Sequence, residues 1–230
     1  MKVLVTGATG FLGGYLVPEL IKEGHEVFAG VRASSDRSSL SSLGVATRHF
    51  DLADASAMPA AVEGMDAVVH LAAYYTFTGD RELYRKLNVE ATEHLLQACI
   101  QKGVKRFLYC SSTEATGPVT GTGNEDSVPD PQYEYGRSKA RTERAVRSAS
   151  EKGLGSVILR PSGIYGPKNV DDVSYWFITS YGRSFATRFI VGSGKNLIQF
   201  VHARDVARAF VLALNNWDRA EGRTFIISDR

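Results

Sequence analysis

The chain has 230 residues, 43% of them hydrophobic and 23% charged, which is enough for one large globular domain with a sizeable core. Twenty-seven basic residues face 25 acidic ones, for a formal net charge of +2, so charge gives no case for a nucleic-acid or membrane partner. No apolar run reaches the ~20 residues of a membrane span, and the start "MKVLVTGATG" lacks a signal-peptide pattern. Cys99 and Cys110 sit in apolar or strand-like surroundings without metal-ligand spacing. They read as reduced thiols in a cytoplasmic protein, with no metal expected.

Short apolar runs alternate with amphipathic stretches from the first residue onward. "KVLVT" reads as a buried strand and "FLGGYLVPELIKEG" as a helix. "EVFAGV" and "ATRHF" follow as strands, "AMPAAVEG" as a helix and "DAVVHLA" as a strand. "DRELYRKLNVEATEHLLQACIQKG" is a long helix, "RFLYCSS" a strand, "YEYGRSKARTERAVRSASEKG" a helix and "GSVILRP" a strand. Gly24, Gly103 and Gly153 each close a helix as left-handed caps do. Beyond Pro161 the rhythm loosens. "GIYGPKN" reads as a loop, "DDVSYWFITSYGRS" as a helix, "NLIQFV" as a strand, "ARDVARAFVLALNNW" as a helix and "RTFIIS" as a last strand. Continuous Val/Ile/Leu runs separated by helices predict an α/β fold: a doubly wound parallel sheet, the Rossmann fold, covered on both faces. Residues 1–165 are expected to form this Rossmann domain. Residues 166–230 are expected to pack against the same sheet.

"VTGATGFLGGYL" places Gly7, Gly10 and Gly13 between a strand and a helix. Gly7 permits the tight turn, Gly10 lets backbone approach a pyrophosphate, and Gly13 lets helix sit close to strand. Thr9, Phe11 and Leu12 belong to the same turn, whose helix N-terminus offers N–H donors to phosphates. At the end of the second strand, where an acid would meet a ribose hydroxyl, stands "GVRASSDRSS". Arg32 with its neighbouring serines suits a 2′-phosphate, so NADP is expected as cofactor, with NAD possible. Asp36 remains within reach of the ribose, and Arg32 could instead stack on adenine. Asp51 and Leu52 in "FDLAD" are placed at the adenine. Leu71, Ala72 and Ala73 in "HLAA" leave room for the dinucleotide, and His70 reads as a packed residue behind them.

Tyr135 and Lys139 are four apart and share one face of a helix. A lysine cation there favours the phenolate and can hold a ribose. "YCSST" offers hydroxyls at a strand end, and Tyr133 with Arg137 lies on another face.

Taken with TGATGFLG, DL, HLAA, NVEATEHLL, YCSS, YGRSK, LRPSGIYGP and FVHARDVA, the chain resembles the extended short-chain dehydrogenase/reductase superfamily, the NAD-dependent epimerase/dehydratase group, over nearly its whole length. The resemblance implies Ser112 as the catalytic hydroxyl, with Ser111 beside it and Thr113 as fallback. It implies Tyr135 as acid/base and Lys139 as its partner. It also places Asn88, Cys110, Pro161, Gly163 and Ile164 on the cofactor side, with Ser162 in the same segment. Gly163 stands where nucleotide-sugar enzymes carry an Asn, and the later segments look more like the 3β-hydroxysteroid dehydrogenase and dihydroflavonol reductase branch. The implied activity is hydride transfer on a small-molecule secondary alcohol or ketone. A nucleotide-sugar epimerase or dehydratase and a non-catalytic dinucleotide sensor are the alternatives. Tyr74, Tyr75, Phe77, Tyr175, Trp176, Phe177 and Tyr181 are candidates for an apolar pocket or for core packing. Family members continue well beyond a strand like "RTFIISD", so the substrate lobe is expected to be incomplete. The resemblance also implies a homodimer through the helices at roughly 81–102 and 134–152.

Overall fold

Seven parallel strands form the central sheet, in the order β3-β2-β1-β4-β5-β6-β9. They are β1 (Lys2–Thr6), β2 (Glu26–Val31), β3 (Ala46–His49), β4 (Ala67–His70), β5 (Arg106–Cys110), β6 (Gly155–Pro161) and β9 (Thr224–Ile227). The computed structural model describes residues 1–76, 79–170, 175, 179 and 197–229.

Alternation along each strand sends side chains to two cores. Val3, Val5, Val69, Leu108 and Val157 face α1 (Gly13–Lys22) and α7 (Ala203–Asn215), which contribute Leu16, Leu20, Val206, Phe210 and Leu214. Leu4, Val68, Phe107, Tyr109 and Ile158 face the other way, against α3 (Met58–Val62), α5 (Ala91–Lys102) and α6 (Glu134–Glu151). Burial on both sides is why the strands read as unbroken apolar runs.

The short helices α2 (Ser38–Ser42) and α8 (Trp217–Ala220) were not expected from the sequence. The long helix predicted over 80–103 consists of α4 (Arg81–Tyr84), a π-helical turn at Arg85–Glu90, and α5. Asp80 caps its start by accepting from the Glu82 and Leu83 amides. Gly24, Gly103 and Gly153 all have the left-handed backbone expected of them. "GIYGPKN" is not wholly loop: β7 (Gly163–Tyr165) pairs in parallel with β8 (Phe200–His202). A three-residue strand has too little pattern to be recognised without its distant partner. The helix expected over 171–184 lies outside the described residues.

The strand order reverses between β1 and β4, which opens a crevice at their C-terminal ends where ligands bind in such sheets. Phe210 is fully buried between α7 and the sheet. Phe210→Ala should cost about 3–5 kcal/mol of stability in urea unfolding, the range for deleting a large buried ring.

Candidate active site at the β1/β4 switch point

The glycine turn leaves β1 directly at this crevice. Gly7 has φ 72° and lies so close to β4 that a Cβ on it would sit 2.9 Å from the Ala72 nitrogen. A side chain there is excluded twice, by backbone conformation and by space. At Gly13 a Cβ would collide with the Ala8 carbonyl oxygen at 2.6 Å, so α1 can approach β1 this closely only without one. The Gly10 amide donates to the Gly7 carbonyl at 3.0 Å and closes the turn. Thr9 and Gly10 are exposed, Phe11 is half-buried and Leu12 is buried in the core. The result is a bare backbone cradle at a helix start, a shape that fits a dinucleotide pyrophosphate.

Around the cradle, Leu71, Ala72 and Ala73 form half-buried backbone after β4. Asp51 and Leu52 follow β3, with the Asp51 carboxylate accepting from the Ala53 amide at 2.9 Å. Arg32 is exposed just beyond β2. Its amide donates to Ser35 Oγ at 3.2 Å, and Arg37 reaches its carbonyl at 3.4 Å. Asp36 accepts from the Ser38 amide at 2.9 Å, a hydrogen bond that lowers its carboxyl pKa. Pro161 ends β6 in the core, Ser162 is buried, and Gly163 and Ile164 start β7. Among the described residues the buried Ser162 Oγ has no hydrogen-bond partner.

Lys139 comes to the same edge from α6. Its side chain is only 2% exposed, and Nζ donates to the Cys110 carbonyl at 2.7 Å. The ammonium lies 5.0 Å from the Tyr109 ring centre and 5.6 Å from that of Tyr135. Burial pulls its pKa below the ordinary lysine value, against the opposing pull of Cys110 and Glu143. Burial raises the Cys110 thiol itself, which keeps it protonated. Ser112 follows β5 and caps the 3₁₀ turn at Thr113–Ala115: its Oγ accepts from the Glu114 amide at 3.1 Å. That bond fixes the oxygen and leaves the hydroxyl proton available to donate. Lys139, Cys110 and Tyr135 are thus brought together. Tyr133, the residue before α6, is 69% exposed, and Arg137 pairs with Glu134 at 2.7 Å on the outer face.

Tyr135 is also ringed by aromatic side chains. Tyr75 meets it edge-on at 4.8 Å between ring centres, and Tyr84 lies at 6.2 Å. Tyr84 holds this wall, because its hydroxyl bonds both the carbonyl and the amide of Thr76 while its ring packs on Tyr74 at 5.0 Å. Tyr175 is exposed; Phe77, Trp176, Phe177 and Tyr181 lie outside the described residues.

Asn88 is buried in the π-helical turn. Its Oδ1 accepts from the Tyr74 amide at 2.7 Å, and its Nδ2 reaches the Tyr74 carbonyl at 3.0 Å and Ser138 Oγ at 3.1 Å. It therefore ties the strand-end loop to the helix that carries Tyr135.

Sequence reasoning missed the buried ion pair below Ser112. Glu143 accepts from Arg160 at 2.8 and 2.7 Å and from Ser111 Oγ at 2.6 Å. Arg160 Nη1 also reaches the Glu125 carbonyl at 3.0 Å, and Glu125 accepts from the Ile226 amide at 2.8 Å. The available signal was a cation inside the apolar strand "GSVILRP", which must find a partner if buried. Among the described residues no group of His, Cys, Asp and Glu has the makings of a metal site.

A family model described as "NAD dependent epimerase/dehydratase family" matches residues 3–228. The chain belongs to that family. It is 37% identical over 220 residues to the 2-alkyl-3-oxoalkanoate reductase of Stenotrophomonas maltophilia, a match covering 93% of this chain and 65% of that protein. It is 30% identical over 234 residues to a decarboxylating sterol-4-alpha-carboxylate 3-dehydrogenase of Dictyostelium discoideum, covering 96% and 69%. This family member thus spans about two thirds of the length of these relatives. Among solved structures, the UDP-glucose 4-epimerase of Thermus thermophilus in complex with NAD superposes with a TM-score of 0.83 at 26% identity, covering 99% of this chain and 78% of that one. MoeE5 in complex with UDP-glucuronic acid and NAD gives 0.83 at 31% identity, covering 99% and 76%.

Burial pushes the Glu143 carboxyl up, but the bonds from Arg160 and Ser111 and the nearby guanidinium charges outweigh it and hold the carboxyl below its ordinary value. A depressed carboxyl contributes stability above its unfolded pKa and loses it as pH falls through the folded one. Arg160→Met should therefore cost about 3–5 kcal/mol near neutral pH. In urea unfolding at a series of pH values, the gap to wild type should shrink as the solution is acidified.

Proposed function

We propose that the protein is an NADP-dependent oxidoreductase that interconverts a secondary alcohol and a ketone, with Tyr135 as acid/base. One observation carries this reading: a lysine ammonium buried to 2% exposure, fixed by a strand-end carbonyl and set against the Tyr135 ring, at the edge where the glycine cradle opens. Burying a cation is costly, and a lysine serving only the fold could reach water instead. When bound, the dinucleotide exchanges hydride with the substrate carbon. Tyr135 Oη takes or gives the proton on the substrate oxygen, and Ser112 donates a hydrogen bond to that oxygen. Lys139 favours the ionised tyrosine and keeps N–H donors free of Cys110 for a ribose. Gly7, Thr9, Gly10, Phe11, Leu12 and Gly13 hold the pyrophosphate. Asp51 and Leu52 would hold the adenine end, and Pro161, Gly163 and Ile164 the nicotinamide end. The role of Asn88 is to order the loop after β4.

Arg32 and Arg37 are both exposed at the end of β2, while Asp36 is engaged by the Ser38 amide, which supports a 2′-phosphate and hence NADP. The Tyr75 and Tyr84 rings beside Tyr135, with Tyr74 packed on Tyr84, favour an apolar substrate over a nucleotide sugar. The reductase and sterol dehydrogenase names of the relatives agree with this. The second reading, a nucleotide-sugar epimerase or dehydratase, is favoured by the solved neighbours. We further propose that residues 1–165 form the dinucleotide domain and that 166–230 begin the substrate lobe. The two buried thiols suit a cytoplasmic setting, and no described helix is long and apolar enough to cross a membrane. A homodimer through α5 and α6 completes the proposal, with Ile100 among the exposed apolar residues available to it.

Tyr135→Phe should abolish NADPH-dependent ketone reduction while NADPH still quenches protein fluorescence on binding; retained turnover would contradict the role. Arg32→Asp should raise KM for NADPH far more than for NADH, and equal effects on both would contradict the NADP assignment. Tight copurified NAD together with binding of UDP-glucose would favour the second reading.

A further inference from the structure

His70, fully buried at the end of β4, lies at the centre of a hydrogen-bond chain that the proposed chemistry does not use. Its Nδ1 is 2.7 Å from Thr6 Oγ1, and its Nε2 is 3.0 Å from Thr92 Oγ1. The Thr92 hydroxyl donates to the Asn88 carbonyl at 2.6 Å, so its one proton is spent and it must accept from His70. Nε2 therefore carries the ring proton. Nδ1 is then the acceptor, and the Thr6 hydroxyl donates to it while accepting from the Ala72 amide at 3.2 Å. Each proton from the Ala72 amide to the Thr92 hydroxyl then has an acceptor, and only the neutral Nε2–H tautomer allows this. An imidazolium would leave the Thr6 proton without an acceptor in the chain. The rings of Phe50, Phe107 and Tyr109 surround the imidazole, and Lys139 is the charged group that acts on it. Burial first, and then Lys139, push its pKa down to about 3.

The two ends of the chain matter. At one end is Ala72, the residue against which Gly7 packs. At the other is Asn88, which holds Tyr74 and Ser138, and Ser138 Oγ donates to the Tyr135 carbonyl at 2.7 Å. Thr142 Oγ1 on α6 also lies 3.2 Å from the Asn88 carbonyl. The π-helical turn makes this possible by presenting that carbonyl to side-chain hydroxyls.

Resting on the dinucleotide reading of this edge, we infer that His70 is a positioning residue: through Thr6 and Ala72 on one side and Thr92 and Asn88 on the other, its fixed Nε2–H tautomer locks the glycine cradle to the helix that carries Tyr135. It touches neither dinucleotide nor substrate.

The test combines ring ¹⁵N NMR of the full chain with NADPH titration followed by fluorescence. Wild-type His70 should show the neutral Nε2–H pattern from pH 8 down to about 5, below the ordinary histidine range. Thr92→Val, which removes the acceptor and keeps the shape, should leave Nδ1 accepting from Thr6 and strip the Nε2–H of its partner, shifting the Nε2 ¹⁵N signal. His70→Leu should raise the NADPH Kd about tenfold, the effect of roughly one lost hydrogen bond, and His70→Gln should recover part of it. If His70→Leu fails to fold, Thr92→Val should still raise the Kd. A wild-type Nδ1–H tautomer, a His70 that titrates in the ordinary range, or folded variants that bind NADPH like wild type would overturn the inference alone. Wild-type protein that binds neither NADPH nor NADH would overturn the dinucleotide reading itself.

Discussion

The site depends on one costly placement, the ammonium of Lys139 inside the protein. A cation out of water needs fixed dipoles around it, and the Cys110 carbonyl and the Tyr109 and Tyr135 ring faces supply them. That requirement reaches outward. β5 must end where its last carbonyl points at α6. α6 must approach closely enough for Lys139 to bridge the gap. The turn after β5 then holds Ser112 in place by its own cap.

The parallel sheet makes this arrangement possible. All strands of the main sheet point the same way, so the ends of β1, β4 and β5 fall on one edge and deliver Gly7, Ala72, Cys110 and Ser112 to one crevice. The helices lock that edge from the far side. Glu143 sits one helical turn beyond Lys139 on α6 and is tied to Arg160 of β6 and Ser111 after β5. A single helix thus carries the lysine and the carboxylate that fixes the neighbouring strands. Breaking the carboxylate's contacts should disturb the site as well as the core.

Much of this was legible in the sequence. The seven strands of the main sheet, the glycine turn and the pairing of Tyr135 with Lys139 follow from continuous apolar runs, glycine spacing and helical spacing. What was not legible depends on contacts between segments far apart in the chain. "RPSGIYG" shows no partner for its short strand until Phe200–His202 is placed beside it. "RKLNVE" has helical spacing, and nothing in its composition marks a π turn, in which the Asn88 carbonyl accepts from the hydroxyls of Thr92 and Thr142. Arg160 could have been flagged as a buried cation, but its partner on α6 could not be named. His70 was read as a packed residue, and it is one; its tautomer depends on two threonines from different elements.

On the proposed function, Lys139, 5.6 Å from the Tyr135 ring centre, favours ionisation of that tyrosine. That coupling is tested most directly by ¹³C-tyrosine NMR, following the Tyr135 ring signal through an alkaline titration in wild type and in Lys139→Met, with Tyr135→Phe used to assign the signal. Tyr135 should ionise at lower pH in the wild type than in Lys139→Met. Ionisation at the same pH in both, or at higher pH in the wild type, would contradict it.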